Sequence, residues 1–266
     1  MTTTDGTALT ATRYGMSTAP ATVVYVPGPL SDSSHFSPLV AQLDEHFAGG
    51  IAQLIYDQRG HRSDLGGVSN VGMAQLVDDL QAVLDRASGS VVLVVHSLAA
   101  ILAQEWLYRH RHEQPRVGAI VAVGPVAELP DTAGVLTTRP MESAYDAGAQ
   151  LIRQLTTALG TRDRINDQRA TDCARQMLRA YRRCGADLAV VEDMLRAIPT
   201  WIVAGARDPV VGCERIEELA ATAWAELIIV DDADHGLLVT HPAAVADAVV
   251  AALEAVHDRS VFGGGW

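Results

Sequence analysis

Three polar residues with complementary chemistry stand in this sequence just after runs of apolar residues: Ser97, Asp208 and His235. The runs that precede them are SVVLVV (90–95), TWIVA (200–204) and ELIIV (226–230), each of which predicts a buried strand. In an open parallel sheet, the carboxyl ends of the strands line one edge, and ligand sites form in the crevice there. Residues that lie far apart in the chain are therefore expected to converge on one point.

A serine, a histidine and an aspartate at one point can perform acyl transfer. A serine hydroxyl is a poor nucleophile at neutral pH, so it needs an adjacent base. His235 would take the proton of Ser97 and later pass it to the leaving group, while Asp208 would orient the imidazole and stabilise its charged form. This set of residue types predicts a hydrolase that works through an acyl-enzyme.

Composition excludes several other classes of function. The 266-residue chain carries a net charge of −12, which repels phosphate backbones and anionic lipid surfaces, so we expect no nucleic-acid or membrane partner. We see no secretory signal at the start and no apolar run near the roughly 18 residues that span a bilayer. Three cysteines without C-x-x-C spacing favour a reducing, cytoplasmic compartment and no metal site.

Strand and helix patterns alternate along most of the chain, which predicts an α/β fold with a mostly parallel sheet and helices on both faces. The alternation breaks after residue 127 and resumes at 199. Between these points the helical segments MESAYDAGAQLIRQLTTALG and DCARQMLRAYRRCG each end at a glycine. We therefore predict a core made of residues 1–127 and 199–266, with a helical cap inserted at 128–198.

Several motifs, in this order and interleaved with these elements, resemble the α/β-hydrolase family of the capped esterase–lipase type. The motifs are DGTALTATRYG (5–15), DQRGHRSD (57–64), GARDPVV (205–211) and DHGLLVTHPAAVADAV (234–249). The second departs from the family's D-x-R-G-x-G-x-S loop, because Arg62 replaces the second glycine. The resemblance covers nearly the whole chain and implies a nucleophile at Ser97, an acid at Asp208 and a base at His235.

The turn that carries the nucleophile usually reads G-x-S-x-G, whereas here Val95 and Ala99 replace both glycines. Ala99 adds one methyl group, but the branched side chain of Val95 must fit beside the following helix. We expect the turn to be altered but intact, with a positive φ at Ser97. His96, which is common at its place in the family, is expected to support the turn structurally.

Two backbone amides are predicted to form the oxyanion hole. The first is that of Leu98, at the start of the helix that follows Ser97. The second is that of Gly28, in the segment VPGPLS, with Leu30 as an alternative. Pro27 and Pro29 have no N–H, so a register that put the family's donor at Pro29 would disable the hole.

The resemblance leaves several alternatives open. The acid could be Glu128 or Asp131, after the preceding strand, instead of Asp208. The favoured reaction is hydrolysis of a small or medium carboxylic ester or thioester without a cofactor, and the expected partner is that small-molecule substrate. A carbon–carbon bond hydrolase or a perhydrolase would use the same three residues. A non-catalytic ligand-binding protein on the same scaffold is the rival from another class, and the sequence does not indicate an oligomeric state.

Overall fold

The computed structural model describes residues 1–29, 31–60, 71–111, 116–127, 157 and 168–262. Seven strands form one sheet in the described chain. They are β1 (Ala11–Gly15), β2 (Ala21–Val26), β3 (Ala52–Tyr56), β4 (Ser90–His96), β5 (Val117–Val123), β6 (Thr200–Gly205) and β7 (Glu226–Val230). Their order across the sheet is β1-β3-β2-β4-β5-β6-β7.

Only the edge strand β1 runs antiparallel to its neighbour, which is β3. All other neighbours pair in parallel, so the carboxyl ends of β2 and of β4 to β7 lie along one edge. Strand β4 lies in the middle of the sheet and is buried from Val91 to His96, as its run of β-branched residues predicts. The structure thus confirms the predicted mostly parallel sheet.

Eight α-helices are found in the described residues, and a 3₁₀ turn at Ser33–Phe36 precedes the first. They are α1 (Ser37–Phe47), α2 (Met73–Leu84), α3 (Ala99–Arg109), α4 (Gln168–Tyr181), α5 (Leu188–Ala197), α6 (Cys213–Ala223), α7 (Leu237–Thr240) and α8 (Pro242–Phe262). None of the helices within these described ranges is long and apolar enough to cross a membrane.

The helices cover both faces of the sheet, and each face has its own apolar core. Successive residues of β4 alternate between the two cores, because side chains of a strand point to opposite faces. Leu93 and Val95 join the core under α2, α3 and α6, whereas Val92 and Val94 join the core under α1 and α8. This two-sided burial holds β4, and therefore the residues that follow it, in a fixed position.

The predicted cap segment, 128–198, connects the adjacent parallel strands β5 and β6. Its described part contains α4 and α5, and the remainder lies outside the described residues. Met177, Leu178 and Tyr181 of α4 are buried in the same core as α2 and α3. The end of α4 therefore packs on the core, while the assignment of 128–198 as a separate cap stays a prediction.

The side chain of Val95 fits beside α3 because the residues of that helix that face it are small. The valine is 1% exposed, and Ala99, Ala100 and Ala103 are buried in the same core. An apolar cavity of about 40 Å³ remains next to these side chains. Because these residues of α3 are alanines, the side chain of Val95 fits at a position where the family's turn usually has glycine.

We predict that Val95→Gly keeps the fold and keeps or raises hydrolytic activity but lowers the free energy of unfolding. Burial of a valine contributes about 1.5–3 kcal/mol, and glycine also adds chain entropy to the unfolded state. Urea unfolding and ester hydrolysis measure the two effects, and Val95→Ala should give an intermediate stability. A folded Val95→Gly protein that has lost activity would show that the valine itself shapes the turn.

Candidate active site

Ser97 stands in a sharp turn between β4 and α3 and has the backbone conformation predicted for it. Its φ is 58°, a left-handed value that non-glycine residues seldom adopt. Hydrogen bonds hold both ends of the residue: its N–H donates to the Val123 carbonyl at 3.0 Å, and its carbonyl accepts from Val126 N–H at 3.1 Å. The strained turn is therefore intact despite Val95 and Ala99, because β5 and the segment after it support it.

His235 lies against Ser97 and bonds it directly. The distance from His235 Nε2 to Ser97 Oγ is 2.8 Å, and the distance from Nδ1 to Asp208 Oδ2 is 2.7 Å. A carboxylate only accepts, so Nδ1 carries the proton and Nε2 is left to accept from the serine hydroxyl. The ring is fully buried, with 0% exposure. The histidine is thus placed to withdraw the hydroxyl proton.

Asp208 is held by the backbone of its own loop. Its Oδ1 accepts from the N–H groups of Val210 at 2.7 Å and Val211 at 3.1 Å, which leaves Oδ2 for His235. Its side chain is only 1% exposed. The carboxylate therefore keeps one orientation towards the imidazole. The alternative acids Glu128 and Asp131 lie outside the described residues.

The loops that carry Asp208 and His235 contact each other through their backbones. Arg207 N–H donates to the Ala233 carbonyl at 2.9 Å. A Cβ at Gly205, the last residue of β6, would lie 2.3 Å from the same carbonyl oxygen, so a side chain does not fit there. Asp208 and His235 are thereby fixed relative to each other.

Both predicted oxyanion donors lie at the Ser97 turn. Leu98 precedes the first residue of α3, where amides have no partner within the helix. A Cβ built on Gly28 would lie 3.3 Å from Ser97 Cβ and 3.8 Å from Leu98 N, so the loop after β2 touches the turn. Within the described ranges, neither of these two amides has an acceptor. Their role in binding an oxyanion stays a prediction, and Leu30 lies outside the described residues.

His96 contacts His235, a link that sequence reasoning missed. Its side chain is 1% exposed, and its Nε2 lies 3.2 Å from the His235 carbonyl oxygen. Burial and the neighbouring His235 hold the pKa of His96 well below its ordinary value, so the ring stays neutral. Nε2–H can therefore donate to that carbonyl and tie the histidine loop to the serine turn. No local pattern signals a contact between residues so far apart in the chain.

A cavity of about 240 Å³ lies next to the segments that support Ser97 and Asp208, although neither of these residues nor His235 lines it. Its wall includes Val126, Val210 and Val211, the residues whose amides bond Ser97 and Asp208. The opposite side is formed by α5 and α6, which contribute the apolar side chains of Val191, Leu195 and Leu219 together with charged side chains of the same helices. Among the described residues, no group of three or more His, Cys, Asp or Glu side chains is arranged to hold a metal ion.

The neutral, buried state of His96 predicts a stability that declines in acid. Below pH about 6.5 the unfolded chain protonates this imidazole while the folded protein does not, so the free energy of unfolding falls. His96→Gln keeps a donor for the His235 carbonyl but does not titrate. Urea unfolding from pH 7.5 to 5.5 should give a shallower slope for this variant, by up to about 1.4 kcal/mol per pH unit.

An unchanged slope in His96→Gln would show that the pKa of His96 is not lowered in the folded protein.

Comparisons with known proteins agree with this architecture. The model of the alpha/beta hydrolase family matches residues 23–248. A carboxylesterase structure from the thaumarchaeon Nitrososphaera gargenis is similar, with a TM-score of 0.68, 18% identity, and coverage of 94% of this chain and 95% of that one. No curated protein matches the sequence closely enough to count as a relative.

Two further solved structures share the fold. The enol-lactonase from Burkholderia xenovorans LB400 has a TM-score of 0.63 at 18% identity, covering 92% of this chain and 96% of its own. The thioesterase domain from the curacin biosynthetic pathway has a TM-score of 0.60 at 16% identity, covering 91% and 94%. These identities establish a common fold alone. The family match spans most of the sequence, including Ser97, Asp208 and His235, and the chain therefore belongs to the alpha/beta hydrolase family.

Proposed function

We propose that this hydrolase cleaves a small or medium carboxylic ester or thioester through an acyl-enzyme. The observation that carries the proposal is the chain of short hydrogen bonds from Ser97 Oγ through the His235 ring to Asp208. Both distances fall within the range at which a base can abstract the proton of a nucleophile. Ser97 is the nucleophile, His235 the general base and acid, and Asp208 the orienting acid.

In the acylation half, His235 Nε2 takes the Ser97 proton while Oγ attacks the acyl carbon and the carbonyl π electrons move onto oxygen. The Leu98 and Gly28 N–H groups stabilise the negative oxygen of the tetrahedral intermediate. Asp208 stabilises the imidazolium that has formed. The intermediate collapses as His235 returns the proton to the leaving alcohol or thiol, which leaves the acyl group on Ser97.

In the deacylation half, a water molecule takes the place of the leaving group. His235 removes a proton from this water as its oxygen attacks the acyl carbon, and the same two amides bind the new oxyanion. The bond to Ser97 Oγ then breaks, and His235 gives the proton back to the serine. A carboxylic acid leaves, and the enzyme is restored without a metal or an organic cofactor.

A cavity of about 240 Å³ next to the segments that hold Ser97 and Asp208 agrees with a substrate of modest size, since sites that bury drug-sized ligands measure roughly 300–1,000 Å³. Three similar structures are described as a carboxylesterase, an enol-lactonase and a thioesterase domain. Each of these descriptions refers to cleavage of an acyl ester or thioester, which agrees with this class of substrate.

Two further proposals concern the domain organisation and the cellular compartment. We assign residues 128–198 as a cap, because the segment is inserted between β5 and β6 and its α5 lines a cavity that also contacts Val126, Val210 and Val211. We place the enzyme in the cytoplasm, since Cys184 and Cys213 are free thiols and a reducing compartment preserves them.

The direct test is covalent labelling of Ser97. Wild-type protein should react with a fluorophosphonate probe at Ser97 and hydrolyse short p-nitrophenyl esters, and Ser97→Ala should abolish both while leaving thermal unfolding nearly unchanged. Ser34→Ala, which removes an exposed hydroxyl, is the matched control and should behave as wild type. Absence of labelling in folded wild-type protein would favour a non-catalytic ligand-binding role.

A second prediction concerns the acid. Asp208→Asn should lower kcat by roughly 10³- to 10⁴-fold, because an amide no longer holds the imidazole in the tautomer that accepts the serine proton. Steady-state hydrolysis of p-nitrophenyl acetate measures the loss. Near-wild-type activity of Asp208→Asn together with an inactive Glu128→Gln would move the acid to the segment after β5.

A further inference from the structure

The peptide between Pro27 and Gly28 is held by a buried side chain outside the proposed catalytic residues. The Pro27 carbonyl accepts from Gln58 Nε2 at 2.6 Å. A trans peptide is planar, with its C=O and N–H pointing in opposite directions. The bond that fixes the Pro27 carbonyl therefore also fixes the direction of the Gly28 N–H.

The next peptide is held in a different way and cannot replace this donor. The Gly28 carbonyl accepts from the Ser31 backbone at 3.2 Å and from Ser31 Oγ at 2.9 Å. The nitrogen of that peptide belongs to Pro29, which has no hydrogen. Because proline occupies both flanking positions, correct placement of the loop's donor depends strongly on the orientation of the single Pro27–Gly28 peptide.

Gln58 is itself oriented by Tyr181. The Tyr181 hydroxyl donates to Gln58 Oε1 at 3.3 Å, and both side chains are 2% exposed. With its oxygen accepting from the tyrosine, the amide must turn its NH₂ group towards Pro27. The neighbouring Arg59 anchors the same loop through a buried hydrogen bond to Asp79 at 2.6 Å. The glutamine thus projects from a fixed segment.

We propose that Gln58 and Tyr181 are positioning residues for the second oxyanion donor, a role that rests on the proposed function. Gln58 sets the direction of the Gly28 N–H towards the Ser97 turn, and Tyr181 sets the direction of the Gln58 amide. A hydrogen bond to the carbonyl of a peptide also polarises its N–H, which strengthens that donor in a buried site. Tyr181 ends α4, so the segment assigned as the cap contributes to the oxyanion hole.

The experiment compares Gln58→Met with Tyr181→Phe. Methionine keeps the length of the side chain but lacks the donor, and phenylalanine lacks only the hydroxyl. Active sites are first counted by exhaustive fluorophosphonate labelling, so that rates refer to competent enzyme. Loss of a whole oxyanion donor costs roughly 10²- to 10³-fold in kcat, so a misdirected donor should cost at least about tenfold.

We expect kcat per labelled site of Gln58→Met to fall by at least about tenfold while KM changes less than about twofold, because the donor acts mainly in the transition state. Tyr181→Phe should show a smaller loss, and the double variant should lose no more than Gln58→Met, because the tyrosine acts through the glutamine. Affinity for a trifluoromethyl ketone, whose tetrahedral adduct carries an oxyanion, should fall in parallel with kcat/KM.

Gln53→Met is the matched control, because Gln53 is also a fully buried glutamine and donates to the Val40 carbonyl away from the site. It should lower stability but leave kcat per labelled site unchanged. Unchanged kcat and inhibitor affinity in Gln58→Met, with wild-type enzyme active, would overturn the positioning role alone. Wild-type protein that neither labels nor turns over would instead overturn the proposed function, and the positioning role with it.

Discussion

The site depends on one strained residue, Ser97, which a folded sheet must hold in a left-handed conformation. Such a backbone costs a non-glycine residue of order 1–3 kcal/mol and persists only where the surroundings over-determine it. Here the surroundings are the hydrogen bonds that Ser97 donates to Val123 and accepts from Val126, together with the packing of Val95 against the alanines of α3. Strand β4 is buried on both faces, so the turn cannot relax without disrupting both cores. The strain presents the hydroxyl to His235.

The parallel sheet brings the remaining groups to this turn, and local hydrogen bonds set their directions. Asp208 accepts hydrogen bonds from two amides of its own loop, His235 donates to the same carboxylate, and His96 lies within hydrogen-bond distance of the His235 carbonyl. Each of these side chains is almost fully buried, where hydrogen bonds are electrostatically stronger than in water. The folded protein itself therefore fixes the directions of these side chains. Under the proposed function, such fixed directions are the condition for electrostatic preorganisation.

In the loop after β2, Gly28 lies between two prolines, so neither adjacent residue carries an N–H. Under the proposed function, the donor at Gly28 therefore depends on the direction of the Pro27–Gly28 peptide. The polar contacts from Tyr181 to Gln58 and from Gln58 to Pro27 join α4, the loop after β3 and the loop after β2. The segment between β5 and β6 is therefore connected to the loop after β2 through packing and hydrogen bonding.

The sequence by itself determined the order of strands and helices and the positions of Ser97, Asp208 and His235 at strand ends, because apolar periodicity and turn chemistry are local properties. It did not predict α1 or α5, and it could not decide whether Val95 leaves the serine turn intact. That outcome depends on the room beside α3, which only packing defines. The contacts of His96 with His235 and of Gln58 with Pro27 join residues far apart in the chain, so no local sequence pattern predicts them. The tertiary structure alone decided these contacts, because they arise from the way β-strand ends and helices meet in space.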